Sequence, residues 1–438
     1  MREIAGKKKK RTVIFFILVI FVAGLLLLLF FRYRRIPAET ISGTDGRSLT
    51  VGVNENLPTH CVTEGGMLYG KGHRIRYYDF ATDTEYVLCD EINCTHLTPR
   101  CSSRYGDQMN GLALYGDFIY FFDGVDEGEA FELIRMDTAG NRRTVLASLK
   151  AGNFEPGNRY LHGIERAYYC GDYVWAELNY GYVREDGSEE RQVQCVSISL
   201  DTGEVTDVTP TEETGAIYQY EGISEKEILL HKTWGVSPDL PAGMEAYLVY
   251  HVADGNMQIL EEGEQRPEYN DDGSYNGALA KYQCLGWYED RFLCREMQWE
   301  KEKGQREIHL FLWDPETGEK RQLASLGQGA FIMFGEGSVQ DIVYDGHYAL
   351  FLTYLGSGRA NICRADLSSG ESEVLFEDAD NVTFRIIGDT KDAFIGKIYN
   401  LESLSVETDV YAIKKADYYE GNFDNMTHLQ TIRQSWLG

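Results

Sequence analysis

Four side chains able to bind a soft metal or to oxidise fall within thirteen residues: Cys89, Cys94, His96 and Cys101. Their spacing is C-x4-C-x-H-x4-C. Thiolate and imidazole are the donors of tetrahedral zinc, and paired ligands in structural zinc sites commonly stand about two to four residues apart. In an oxidising compartment the same thiols pair instead as disulfides, Cys89 with Cys94 or either with Cys101. His96 is then an ordinary loop residue. Both chemistries stay open at this point, and both fix a long surface link rather than supply a catalytic group. Cys61, Cys170, Cys195, Cys284, Cys294 and Cys363 bring the total to nine, an odd number; in strands they read as small buried apolar residues.

Which chemistry applies depends on compartment. Val13–Phe31, VIFFILVIFVAGLLLLLFF, is an uncharged apolar run. At about 1.5 Å rise per residue it matches the roughly 30 Å hydrocarbon core of a bilayer. It is longer than a signal-peptide core, and Ile36-Pro37-Ala38 is a poor cleavage site. Arg2, Lys7, Lys8, Lys9, Lys10 and Arg11 precede it, whereas Arg32, Arg34 and Arg35 follow. Positive charge stays in the cytoplasm. The expected plan is a cytoplasmic basic tail at 1–12, a signal-anchor helix at 13–31, a linker at 32–50 and an extracytoplasmic domain at 51–438.

That outer part is very acidic. The chain has 42 Lys and Arg against 69 Asp and Glu; residues 1–35 hold nine of the basic residues and one acid, leaving 33 against 68. Nucleic acid, whose binding rests on neutralised phosphates, is excluded as a partner. The acidity reads first as solubility and repulsion from other acidic surfaces; attraction of cations, including Ca²⁺, is the sharper reading, with acidic stretches at Asp123–Glu132 and Glu268–Gly277 that otherwise read as solvated loops. Neither keeps the calcium-loop spacing.

The elements that position the cluster come from a repeat. RYYDFATDTEYVLC from Arg76, LIRMDTAGNRRTVLASL from Leu133, VSISLDTGEVTDV from Val196 and LVYHVADGNMQIL from Leu248 each read as strand, turn, strand. LFLWDPETGEKRQL from Leu310, ICRADLSSGESEVL from Ile362 and a degenerate copy from Val410 continue the series, about 55 residues apart. An earlier strand precedes most of them, as in GGMLYG and GDYVWAEL. Asp, Asn and Gly supply the positive φ that two-residue hairpin loops need. Four-stranded units at this period are blades of a β-propeller. The fold class is therefore all-β, a propeller of seven blades, or six if the last copy is a tail. Cys89 then ends the outer strand of the first blade, and the cluster lies on the link into the second.

A propeller unit followed by C-x4-C-x-H-x4-C resembles a widespread family of TolB-like surface propellers, of unknown function, in clostridia and related Gram-positive gut bacteria. The family usually has proline two residues before the second cysteine, where this chain has Ile92. The resemblance covers most of residues 50–430. It implies membrane anchoring or secretion and a propeller fold, and no activity.

No G-x-S-x-G elbow, H-E-x-x-H pair, phosphate loop or sialidase box is present, so no catalytic or cofactor-binding residue is assigned. His162, His231 and His347 belong to different repeats and would meet only near the axis. These features point to a membrane-anchored binding module at the cell envelope, taking a protein, peptide or glycan ligand. Alternatives are a hydrolase or lyase acting on polysaccharide or peptide in the propeller channel, and a sensor or scaffold subunit of an envelope complex.

Overall fold

Apolar residues alternate along the strands, and the alternation sends them to opposite sides. In the strand Tyr173–Val183, Val174 and Ala176 pack on Phe131 and Leu133 of the preceding repeat, whereas Trp175 faces Tyr220 and Leu230 of the next. In the strand Tyr348–Gly356, Ala349 and Phe351 meet Leu293 and Leu312, while Leu350 meets Phe394 and Ile413. A sheet that is apolar on both faces must be covered on both, so such sheets stack side by side around an axis.

The computed structural model describes residues 60–433 apart from 90, 92–93, 97–100, 107, 126–129, 153–154, 156, 211–214, 237–241, 270–274, 301–304, 329–338, 357–358, 380–382 and 400–406. The expected membrane segment 13–31 and the linker lie outside the described residues. Among the described residues no helix is long and apolar enough to cross a membrane.

The chain is an all-β propeller. Its repeats span 60–87, 109–150, 159–207, 217–264, 282–328, 339–379 and 383–433, and within each the strands pair antiparallel with their sequence neighbours. The sheets are nevertheless not the seven separate ones expected from the hairpins. Five are four-stranded; the third and fourth repeats share one eight-stranded sheet, joined by a single parallel pairing of Val193 with Ile217. A further hairpin, Arg266–Tyr269 with Tyr275–Leu279, follows the fourth repeat. Buried clusters lie between successive repeats, and the ring closes where Ile395 and Val410 of the last pack on Met67 and Tyr69 of the first. Tyr78 O–H donates to the Leu429 carbonyl across that closure.

The outer hairpins fall where the sequence places them, but their turns are longer than two residues. Asp366 shows the pattern. Its carboxylate accepts the Ser368 and Ser369 N–H groups, and its carbonyl accepts Gly370 N–H at 2.8 Å. Asp314 and Gly318 repeat it. The glycine serves packing as well as turning. Gly203 has φ 73°, and a Cβ there would stand 1.8 Å from the Leu146 carbonyl oxygen of the preceding repeat. The last copy is a full four-stranded sheet, with the short helix Lys415–Tyr419 inserted before its final strand.

Candidate metal centre

Leu88 leaves the outer strand of the first repeat with its N–H still bonded to the Ile75 carbonyl at 3.0 Å. From there the link runs over the first repeat to the strand Met109–Tyr115. The link returns to the sheet at Ser103, whose carbonyl accepts Ile75 N–H at 2.9 Å. Cys89 and Cys101 therefore emerge near the same strand end, and the chain between them loops back.

Within that loop the four expected donors come together. One donor atom each from Cys89, Cys94, His96 and Cys101 all lie within 4.8 Å of one another. Cys101 is buried; the other three are half-buried. His96 Nδ1 is 3.5 Å from Cys101 Sγ, and the His96 backbone N–H donates to Cys94 Sγ at 3.4 Å. His96 itself has a left-handed φ of 58°. Cys101 Sγ also meets Ser103 Oγ at 3.0 Å. None of the nine cysteines is joined to another in a disulfide.

The electrostatics act on the donors in different directions. Burial and the nearby Arg74 and Arg76 guanidinium groups hold the His96 imidazole below its usual range, so it is neutral at pH 7 with a lone pair to give. Burial pushes the Cys94 thiol up to about 11. For Cys89 burial acts the same way, but hydrogen bonds from the Glu91 N–H and the neighbouring thiols outweigh it and lower the thiol. A bound cation favours thiolate at all three.

The other sequence candidates do not join this group. His162 pairs with Glu189, and buried His231 bonds Glu245 at 3.0 Å and stacks on Tyr247. His347 stays on an exposed turn against Tyr348. Asp123, at the start of one expected calcium loop, is buried in a strand and held by Arg143 and the Gly106 N–H. The remainder of that loop and of Glu268–Gly277 lies in part outside the described residues. Cys284 and Cys294 stand directly opposite each other in the fifth repeat, both buried; Cys170 and Cys195 do not oppose each other.

A second polar group was not legible in the sequence. Fully buried Glu177 accepts Tyr220 N–H of the next repeat at 2.7 Å and lies 3.7 Å from Arg166 Nη1. Glu221 is the extra residue where the pairing slips between Tyr220 and Gly222, and its carboxylate accepts Cys284 N–H of the fifth repeat at 3.3 Å. Such bulges re-aim side chains. Burial raises both carboxyls, Glu177 to about 8, against the pull of Arg166.

No family model matches the chain. No curated protein matches it either. Among solved structures it is similar to an oligogalacturonate lyase in complex with manganese (14% identity, 88% of this chain and 93% of that one, TM-score 0.49). It is also similar to TolB from Acinetobacter baumannii (11%, 81% and 76%, TM-score 0.36) and to an uncharacterised Listeria monocytogenes protein (8%, 90% and 99%, TM-score 0.43). At these values the likenesses carry no argument about activity. The propeller rests on the sheets and the ring of buried clusters. TolB is among the similar folds.

Proposed function

We propose that this chain is a membrane-anchored, extracytoplasmic propeller of seven blades, counting the eight-stranded sheet as two. It works as a non-catalytic binding module for a protein, peptide or glycan at the cell envelope, and carries a structural zinc in the link between its first two blades. One observation carries the zinc assignment: four donors from a single short link converge within 4.8 Å. A disulfide would consume two sulfurs and give no reason for His96 to turn Nδ1 toward Cys101. Three thiolates and an imidazole suit zinc and not manganese, which prefers oxygen ligands. Four protein donors fill a tetrahedron and leave no open position for a substrate, the mark of a structural rather than a catalytic site.

Topology and binding are tested separately. On intact cells an impermeant maleimide should label an added cysteine after Gly438 and not one near Met1, relative to the parent chain; the reverse pattern removes the extracytoplasmic assignment. Retention of the detergent-solubilised chain on immobilised envelope glycans and peptides supports the binding role. Turnover of either by the same chain contradicts it.

The hydrolase or lyase reading has one observation in its favour. Arg166 and Glu177, Glu221, and Arg295 come from three successive repeats and interact electrostatically. Each of the two carboxylates is occupied by a backbone N–H of the following repeat, which makes them buttresses between blades.

A further inference from the structure

The donors are held from two sides. From the first repeat, Arg74, itself buried, donates through Nε to the His96 carbonyl, and the chain at Arg74 pairs with Arg104. From the second repeat, Arg143 donates through Nη1 to the carbonyls of Ser102 and Arg104. Its Nη2 bonds Asp123 at 2.6 Å, and the other oxygen of Asp123 accepts Gly106 N–H at 2.6 Å. The turn at Gly140, also of the second repeat, sits against the carbonyl of Leu88, next to Cys89; a Cβ there would stand 2.5 Å from that oxygen.

The His96 arm is tied to the first repeat alone. The backbone just after Cys101 is held by both: Ile75 N–H and the pairing with Arg74 hold Ser103 and Arg104 from the first, and Arg143 holds Ser102 and Arg104 from the second. We propose that Arg143 and Asp123 are positioning residues for the metal: together with the first repeat's hold on Ser103 they set Cys101 against His96, so metal binding and docking of the second repeat on the first strengthen each other. This inference rests on the cluster binding a metal. Nothing about Arg143 touches the metal position itself. It acts through the Ser102–Arg104 backbone, and its fork of donors matches two carbonyls and a carboxylate in a way a lysine ammonium does not.

The test is a Co²⁺ titration of the full chain in detergent, read by thiolate-to-cobalt absorption and by competition with a chelator. Outer partners of metal ligands typically cost about 10–100-fold in affinity when removed. Arg143→Met and Asp123→Asn should each weaken cobalt by that range. Arg135→Met should not; that arginine donates to the Leu200 carbonyl at the seam with the third repeat. Arg143→Lys, which keeps the charge, should fall with Arg143→Met and serves if the methionine variant does not fold. In wild type, chelator should also raise amide exchange at Ile75 and Gly106, on either side of the seam. Wild-type affinity in the Arg143 and Asp123 variants, with the cobalt bands intact, overturns the positioning role alone. Absence of thiolate–cobalt bands in wild type overturns both the metal site and this inference.

Discussion

His96 Nδ1 and Cys101 Sγ stand 3.5 Å apart. One nitrogen and one sulfur on a shared tetrahedral zinc are separated by about 3.5 Å, given bonds of roughly 2.0 and 2.3 Å. The two atoms therefore already hold the edge of a coordination tetrahedron. His96→Ala removes one donor and should weaken zinc by more than about 100-fold, beyond the range for outer partners. His96→Cys replaces it with a thiolate and should keep one zinc per chain. Equal zinc retention by the alanine variant would show that the imidazole is not a ligand.

Gly203 tests how the repeats dock. Its positive φ and the Leu146 carbonyl at 1.8 Å from an added Cβ give two separate costs. Gly187 has a similar φ of 79° and open space around it. Gly187→Ala should lose about 1 kcal/mol from backbone strain, and Gly203→Ala about 2 kcal/mol or more, because the seam must also shift. Thermal unfolding of the two variants checks this. Equal losses would mean that the neighbouring carbonyl moves aside freely.

Glu177 should make the protein more stable in mild acid. Its carboxyl is raised from 4.5 to about 8, first by burial, with Glu165 and Glu221 adding to the rise and Arg166 and the Tyr220 N–H opposing it. A raised carboxyl contributes stability that is fully present below 4.5 and is lost as pH climbs toward 8, where the folded group must ionise inside the protein. The difference is on the order of a few kcal/mol. Glu177→Gln keeps an acceptor for Tyr220 N–H and cannot ionise. Wild type and variant should be alike near pH 4.5, and the variant should be the more stable near pH 8. Parallel stability profiles would show that folding leaves the titration of Glu177 unchanged.

The outer hairpins and the cluster were legible because both are local. An Asp ending one strand and a Gly four residues later make a turn from their own side chain and φ, whatever surrounds them. Cys89 to Cys101 is short enough for spacing alone to imply convergence. The first strand of each repeat was not legible. In several of them an extra residue, such as Glu221 or Leu285, breaks the alternation that marks a strand. The shared sheet of the third and fourth repeats hangs on one backbone pairing, Val193 with Ile217, which no side-chain pattern encodes. Glu177 was missed because its partner, Tyr220, is 43 residues away. Nothing in the sequence near Glu177 distinguishes it from a solvated acid. The span 13–31 and the charges around it lie outside the described residues and stand as part of the proposal.

The central claim is a zinc held by Cys89, Cys94, His96 and Cys101. Native mass spectrometry of the full chain, purified without chelator and released from detergent, tests it most directly. The account predicts one zinc per chain, lost to chelator together with the release of three alkylatable thiols at Cys89, Cys94 and Cys101, and unaffected by mild reductant. A chain two hydrogens lighter and metal-free, with two of these cysteines joined, or one with all three thiols free and no metal, would contradict it.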